Sequence, residues 1–86
     1  MDRFLEEFKR RMKISHSSED KLLIGILEES YEDIRRLIGD FRMESYASGK
    51  ELVFERSRYV YNDSLEYFYD NFQQRIMDLS LDLSMR

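Results

Sequence analysis

The spacing of apolar side chains between residues 20 and 38 is the feature that most limits how this chain can fold. Apolar residues recur there with the period of an α-helix over about half of the helix circumference, and charged residues occupy the other side. The apolar side chains are Leu22, Leu23, Ile24, Ile26, Leu27, Tyr31, Ile34, Leu37 and Ile38. Ser17–Asp20 has the pattern of a capping box, and Gly39 stands where a helix-ending glycine is expected. We therefore predict a central helix that starts near Asp20 and ends at Ile38, because so wide an apolar face has to be covered on several sides.

Two further helices are predicted on either side of it. The first runs from Asp2 to Met12 and places Phe4, Leu5, Phe8 and Met12 in one narrow arc. The third runs from about Gly49 to Asp70 and follows a second capping box at Ser48–Glu51. The chain has 86 residues and no proline, so it has the length of one domain and nothing that forces a helix to break. The predicted fold is a single all-α domain, residues 1–86, of three helices and a variable C-terminal element.

The last fifteen residues, 72–86, allow two interpretations. Phe72, Ile76, Leu79 and Leu83 follow helical spacing, whereas Leu79–Met85 alternates between apolar and polar residues like a half-buried strand. Because Ser and Asp are poor residues for a helix interior, we favour a short helical piece followed by an extended segment. A lone strand cannot pair its own backbone, so this segment would be an assembly arm that docks on another protein or on a neighbouring copy. The docking residues would be Leu79, Leu81, Leu83 and Met85.

Three apolar side chains do not fit the predicted third helix. Leu52, Tyr59 and Tyr69 fall on its charged side, where a monomer would expose them. Scattered apolar residues are normal on protein surfaces. Tyr is also enriched at protein–protein contacts, and these three residues are therefore candidates for a subunit interface.

The distribution of charged residues argues against a DNA-binding function. The net charge is −4, with both signs mixed along the chain, which argues against strong nonspecific binding to duplex DNA. A basic cluster, Lys9, Arg10, Arg11 and Lys13, lies at the end of the first predicted helix. We favour its role as compensation of the helix dipole over contact with DNA, and leave docking to an acidic partner open.

No catalytic constellation is visible. The single histidine, His16, has no evident nucleophile to serve, and the three glycines are too far apart to form a phosphate loop. The absence of cysteine excludes disulfides and thiolate metal sites. Carboxylate pairs such as Glu28 with Glu32 are read as solvated helix faces. No enzymatic activity, cofactor, metal site or membrane-spanning segment is predicted.

Two blocks of the chain resemble a known family. The first is Phe8–Ile14, followed by a short polar turn and by Asp20–Leu23, which opens a helix that closes at Ile38-Gly39. The second is Leu52–Asp63, and the Leu79–Leu83 tail resembles the endings of short family members. With these blocks the chain resembles the head–tail connector proteins of long-tailed phages, also called head-completion or adaptor proteins.

The resemblance implies a structural virion protein without enzymatic activity or cofactor. Family members are small helical proteins that bind the portal protein at the head–tail junction, after assembly in the host cytoplasm. They form a ring, usually matched to the dodecameric portal, which extends the DNA channel and receives a tail-side stopper or tail component. Genomic DNA is then only the contents of the channel.

A competing interpretation is a small helical regulator that binds DNA or a protein target. Helix-turn-helix proteins insert a basic helix into the major groove. The exposed side of the central helix instead carries Glu28, Glu29, Glu32 and Asp33, which argues against insertion into DNA.

Overall fold

The computed structural model describes all residues, 1–86, and contains five α-helices and no strand. The helices are α1 (Asp2–Met12), α2 (Asp20–Ile38), α3 (Ala47–Tyr61), α4 (Phe68–Asn71) and α5 (Gln73–Ser84). A 3-10 turn, Leu65–Tyr67, precedes α4. The predicted all-α class is confirmed, and the bounds of α1 and the end of α2 fall where the sequence placed them.

α2 and α3 form an antiparallel hairpin around which the other helices pack. The hydroxyl of Tyr61 at the end of α3 donates to Glu19 Oε1 at the start of α2, at 2.7 Å. α2 also packs against α1 and α5, which confirms its predicted central place. Leu22 alone leaves the predicted apolar face and is 53% exposed, because it lies at the edge of that face in the first turn of the helix.

The capping boxes predicted before α2 and α3 are wrong. In neither helix does a side chain cap the free backbone N–H groups of the first turn. The Ser18 hydroxyl pairs with His16 Nδ1 at 2.9 Å, which is a local contact within the loop. Gly39 does end α2, with φ at 112°, a conformation that other residues rarely adopt.

The predicted third helix, Gly49–Asp70, is wrong in its length. α3 ends at Tyr61, and the backbone turns through Asp63, which has a left-handed φ of 56°. Asp adopts this conformation more readily than most residues. The turn separates α3 from α4 and sends the chain back toward α2.

α3 is enclosed through its middle turns, and this encloses Leu52 as well. Leu52, Val53 and Phe54 are all buried although they are consecutive, so the buried arc spans about 200° of the helix, and Ser57, one turn after Val53, lies within it. Leu52 is only 2% exposed, so the expectation that a monomer would expose it is wrong. The prediction failed because it assumed an amphipathic helix, whereas α3 is covered on several sides.

The extended segment predicted for residues 79–85 is also wrong. These residues belong to α5, which lies along the second half of α2 and ends beside Gly39. Side-chain atoms of Leu83 lie 3.8 Å from the position that a Cβ would take at Gly39. Packing decided the outcome, because helical spacing lets Phe72, Ile76, Leu79 and Leu83 all face the core.

α1 is fastened at its two ends by charge as well as by its apolar face. Leu5 and Phe8 are buried in the core. Ion pairs then connect α1 to distant parts of the chain: Arg3 with Glu44 at 3.2 Å, Glu7 with Lys50 at 2.9 Å, and Arg11 with Glu51 at 2.8 Å.

Candidate protein-interaction surfaces

Tyr59 and Tyr69, the other two predicted interface residues, belong to an aromatic cluster inside the monomer. The Tyr59 ring makes edge contacts with Phe68 and Phe72, at centroid distances of 5.6 and 5.9 Å. Tyr69 makes an edge contact with Phe68 at 5.3 Å. Both tyrosines are half-buried, so the expectation that a monomer would expose them is wrong: the turn at Asp63 brings α4, which carries Phe68 and Tyr69, back beside α3. The assignment of Leu52, Tyr59 and Tyr69 to a subunit interface loses the exposure on which it was based, and for the two tyrosines it stays a prediction.

Asp33 of α2 is the centre of a polar network that joins three helices. Its Oδ2 accepts from the hydroxyl of Tyr69 at 2.7 Å and from Nε of Arg56 at 3.0 Å, and its Oδ1 accepts from Arg36 at 2.8 Å. Arg56 is buried and also donates from Nη1 to the hydroxyl of Ser30, at 3.0 Å. Every buried side-chain polar atom of the chain has a hydrogen-bond partner. The network thus neutralises a guanidinium between α2 and α3 and holds α4 against both.

The pKa values of the network follow from these contacts. Burial on its own would raise the pKa of Asp33, but hydrogen bonds from Tyr69 and Arg36 and the charge of Arg56 outweigh it and hold that pKa below its usual value. Burial, together with the hydrogen bond to Asp33, raises the pKa of Tyr69. The two pKa shifts favour an ionised Asp33 carboxylate and a neutral Tyr69 phenol, and this pair of protonation states keeps their hydrogen bond intact.

α5 has apolar residues on two opposite faces. Leu79 is buried and Leu83 packs against the core, so these two of the four predicted docking residues stabilise the monomer. The other two, Leu81 and Met85, are 61% and 84% exposed, and Met77 shares their side of the helix. Met77, Leu81 and Met85 recur every four residues, so they form one outward stripe. Of the charged residues of α5, Arg75 and Asp82 lie on other sides of the helix, and Asp78 borders the stripe.

A groove of about 290 Å³ runs beside this stripe, between α5 and the second half of α2. Its lining is mostly apolar: Leu37, Ile76, Met77, Ser80 and Leu81. Leu37 and Ser80 also line the adjoining depression that reaches Gly39 and Asp40. Sequence analysis missed the groove, although the four-residue spacing of Met77, Leu81 and Met85 already indicated a second apolar face of a helix.

The groove continues along α2 into a polar depression. Arg36 lines both the depression at Gly39 and Asp40 and this polar depression. The other residues that line the polar depression are Glu29, Glu32, Asp33 and Arg56. Glu29 makes no ion pair, and Glu32 is paired only with Arg35 of the same helix, at 2.9 Å. We call the continuous surface formed by Glu29, Glu32, Leu37, Met77 and Leu81 the acidic–apolar strip.

The predicted basic cluster does not act as one unit. Lys9 is buried and donates from Nζ to Asp20 at 2.8 Å, and Arg11 is paired with Glu51. Arg10 and Lys13 are exposed and make no ion pair. Half of the cluster therefore fastens α1, and only the other half is free to meet a partner.

The free cations of the chain are concentrated at one end. Of fourteen Lys and Arg side chains, all but four make ion pairs. The four are Arg10, Lys13, Lys21 and Arg75, and the first three lie around the connection between α1 and α2. The exposed Leu22 follows Lys21 directly. We call the surface formed by Arg10, Lys13, Lys21 and Leu22 the basic end.

The remaining candidate chemistry is sparse. His16 is exposed and lies 3.8 Å from Glu19, and no group of three or more potential metal ligands is present. None of the helices has the length and apolar character needed to cross a bilayer. No protein-family model, curated protein or solved structure matches the chain.

Proposed function

We propose that this protein is a subunit of a phage head–tail connector, a structural component that joins the portal vertex of the head to the tail. The resemblance of Phe8–Ile14 and Leu52–Asp63 to that family is the starting point. Both blocks lie in the scaffold of the monomer, at α1 and at α3 with its closing turn. Sequence blocks that shape the fold, and carry no catalytic residues, are compatible with a structural protein.

The observation that carries the proposal is the uncovered apolar stripe of α5. Met77, Leu81 and Met85 are all more than half exposed, and only two other large apolar side chains of the chain, Leu22 and Tyr67, are equally exposed. A contiguous apolar surface on a small domain is typical of a site for another protein. In the proposed connector, this stripe docks on the portal protein or on the adjacent subunit.

The competing DNA-binding regulator has less support. It needs a broad free basic surface, whereas Lys9 and Arg11 are held by Asp20 and Glu51 and only the few cations of the basic end are unpaired. The polar depression on α2 is lined by carboxylates, which repel phosphate. A filter-binding assay at low salt tests this alternative directly, and tight DNA binding would favour it.

Native mass spectrometry tests the connector proposal. The purified protein is measured alone and mixed with the portal protein of the phage that encodes it. A complex of fixed stoichiometry with the portal is expected, whether or not the free protein forms a ring. A protein that ignores the portal would overturn the proposal.

A matched pair of variants ties the result to α5. Leu81→Asp places a charge in the exposed stripe and should abolish the contact that the stripe makes, with the portal or with the adjacent subunit, without unfolding the monomer. Arg75→Gln lies on another side of the same helix and should assemble normally. If Leu81→Asp binds as well as the parent protein, the stripe is not the docking surface.

A further inference from the structure

We propose that copies of this protein associate head to tail, with the basic end of one copy docked on the acidic–apolar strip of the next. The proposal rests on the proposed function in one respect, because a ring requires such a contact between copies. It goes further by assigning the two surfaces that meet.

Charge complementarity is the first argument. Three of the four cations without an ion pair lie at the basic end. The polar depression of the strip holds three carboxylates and two guanidiniums, and both guanidiniums already pair with Asp33. Glu29 and its exposed neighbour Glu28 make no ion pair. The unpaired charges of the basic end are positive and those of the strip are negative, and this opposite charge favours the association of the two surfaces.

Apolar complementarity is the second argument. The basic end presents one large apolar side chain, Leu22, which is 53% exposed. The strip presents the groove bordered by Leu37, Met77 and Leu81, and its carboxylates follow at one end. An apolar residue next to cations therefore meets an apolar groove next to carboxylates.

The positions of the two surfaces make the contact head-to-tail. Leu22 and Leu37 are fifteen residues apart on α2, which corresponds to about 22 Å along the helix axis. Each copy then offers both surfaces at once, and each surface contacts a different neighbour. Such heterologous contacts produce a closed ring or an open chain.

Other occupants of the strip fit its charge less well. A nucleic acid or an anionic membrane needs free cations, and the strip has none, because Arg36 and Arg56 both pair with Asp33. A second copy supplies both free cations for the carboxylates of the strip and an apolar residue, Leu22, for its groove.

Cross-linking between introduced cysteines tests the contact, since the chain has no cysteine of its own. The double variant Leu22→Cys with Leu81→Cys is treated with a short bis-maleimide, both free in solution and bound to the portal. A ladder of covalent trimers and larger species is expected, because each copy reacts at two places. With either single variant, cross-linking should give no species larger than a dimer, because each copy has only one cysteine. Leu22→Cys with Ser45→Cys, whose second cysteine is exposed outside both surfaces, is the matched control.

Charge reversal then tests the ion pairs. In the cysteine background, Glu29→Lys with Glu32→Lys should reduce the ladder at least about tenfold, and so should Arg10→Glu with Lys21→Glu. A mixture of the two reversed proteins should restore the ladder, because the reversed strip of one complements the reversed end of the other. Glu66→Lys with Asp70→Lys changes charge outside both surfaces and should leave the ladder intact.

The possible outcomes distinguish failure of the head-to-tail contact from failure of the connector proposal. A ladder in a protein that ignores the portal supports the contact and overturns the connector. Portal binding without a ladder, free or bound, overturns the contact and leaves the connector standing. An equally strong ladder in the Leu22→Cys, Ser45→Cys control also overturns the contact. So does the failure of the mixed charge-reversed proteins to restore the ladder.

Discussion

Replacing Asp33 by alanine should strongly destabilise the monomer, because it removes the counter-ion of a buried guanidinium. The side chains of Asp33 and Arg56 are 15% and 10% exposed, and their atoms Oδ2 and Nε are 3.0 Å apart. Removing one partner of a buried ion pair costs about 3–5 kcal/mol. Arg56 would keep its hydrogen bond to Ser30, and both sites retain some contact with water. We therefore expect a loss of about 2–3 kcal/mol in the free energy of unfolding.

Urea unfolding followed by circular dichroism measures this loss, and a thermal scan should show the melting temperature lowered by roughly 10–20 °C. Glu32→Ala is the matched control: it removes the neighbouring carboxylate, which is 71% exposed and paired only with Arg35. Its effect should lie within the error of the measurement. If Asp33→Ala is no less stable than Glu32→Ala, the network does not hold the helices together as argued here.

The same network predicts a dependence of stability on pH. The pKa of Asp33 is lower in the folded chain than its ordinary value of 3.8, so the unfolded chain binds a proton first as the pH falls. The contribution of Asp33 is therefore fully present above that ordinary value and is lost as the pH falls through the lowered folded-state pKa. Between about pH 5 and pH 2, Asp33→Asn should lose less stability than the parent protein. Parallel curves for the two proteins would contradict this assignment.

Three pairs of variants test other parts of the fold by urea unfolding. Leu79→Ala should cost about 2–4 kcal/mol because Leu79 is buried, whereas Leu81→Ala should change little; equal effects would contradict the two faces of α5. Asp63→Val should cost about 1–2 kcal/mol at a left-handed φ of 56°, and Asp63→Gly should be tolerated; an unaffected valine variant would argue against this turn. Gly25→Ala should stabilise by about 1 kcal/mol, since a Cβ there meets nothing within 4 Å. Gly49→Ala should destabilise, because its Cβ would lie 2.6 Å from an aromatic ring, and a stabilised variant would contradict that packing.

Sequence periodicity predicted α1 and α2 well because both helices bury one face. Phe8 and Leu5 of α1 meet the core from one direction, so the apolar arc marks the buried side. The end of α2 was equally clear, since Gly39 adopts the positive φ that its position after Ile38 suggested. In these segments local signals and tertiary packing agree.

Periodicity failed where a helix is covered on more than one side. Leu52 looked misplaced on α3 only because the prediction assumed one buried face, and Tyr59 looked exposed only because the turn at Asp63 was not foreseen. That turn contains neither glycine nor proline, but Asn62-Asp63-Ser64 is a run of turn-forming residues, which the prediction of one long helix overlooked. α5 was mistaken for a strand because it carries apolar residues on two faces, which places them at alternate positions of its last turns.

The candidate surfaces were only partly predictable for a related reason. Lys9 and Arg11 could not be separated from Arg10 and Lys13 without knowing that Asp20 and Glu51 lie beside the first two. Which charges remain free depends on contacts between distant residues, and a single sequence does not specify those contacts. Leu81 and Met85 were predicted as docking residues and are exposed, but the groove beside them needs α2, which only the fold brings there.

The ion pairs that fasten α1 have a consequence for how the chain folds during its synthesis. Arg3, Glu7 and Arg11 leave the ribosome early, yet their partners follow 41, 43 and 40 residues later. At about 5–20 residues per second, those three partners are made roughly 2–8 s after α1. During that interval only α2 is available to pack against the apolar arc around Phe8, and Lys9 can already pair with Asp20. The first helix to be synthesised can therefore meet α2 early, but its three other ion pairs form only after Glu44, Lys50 and Glu51 have been made.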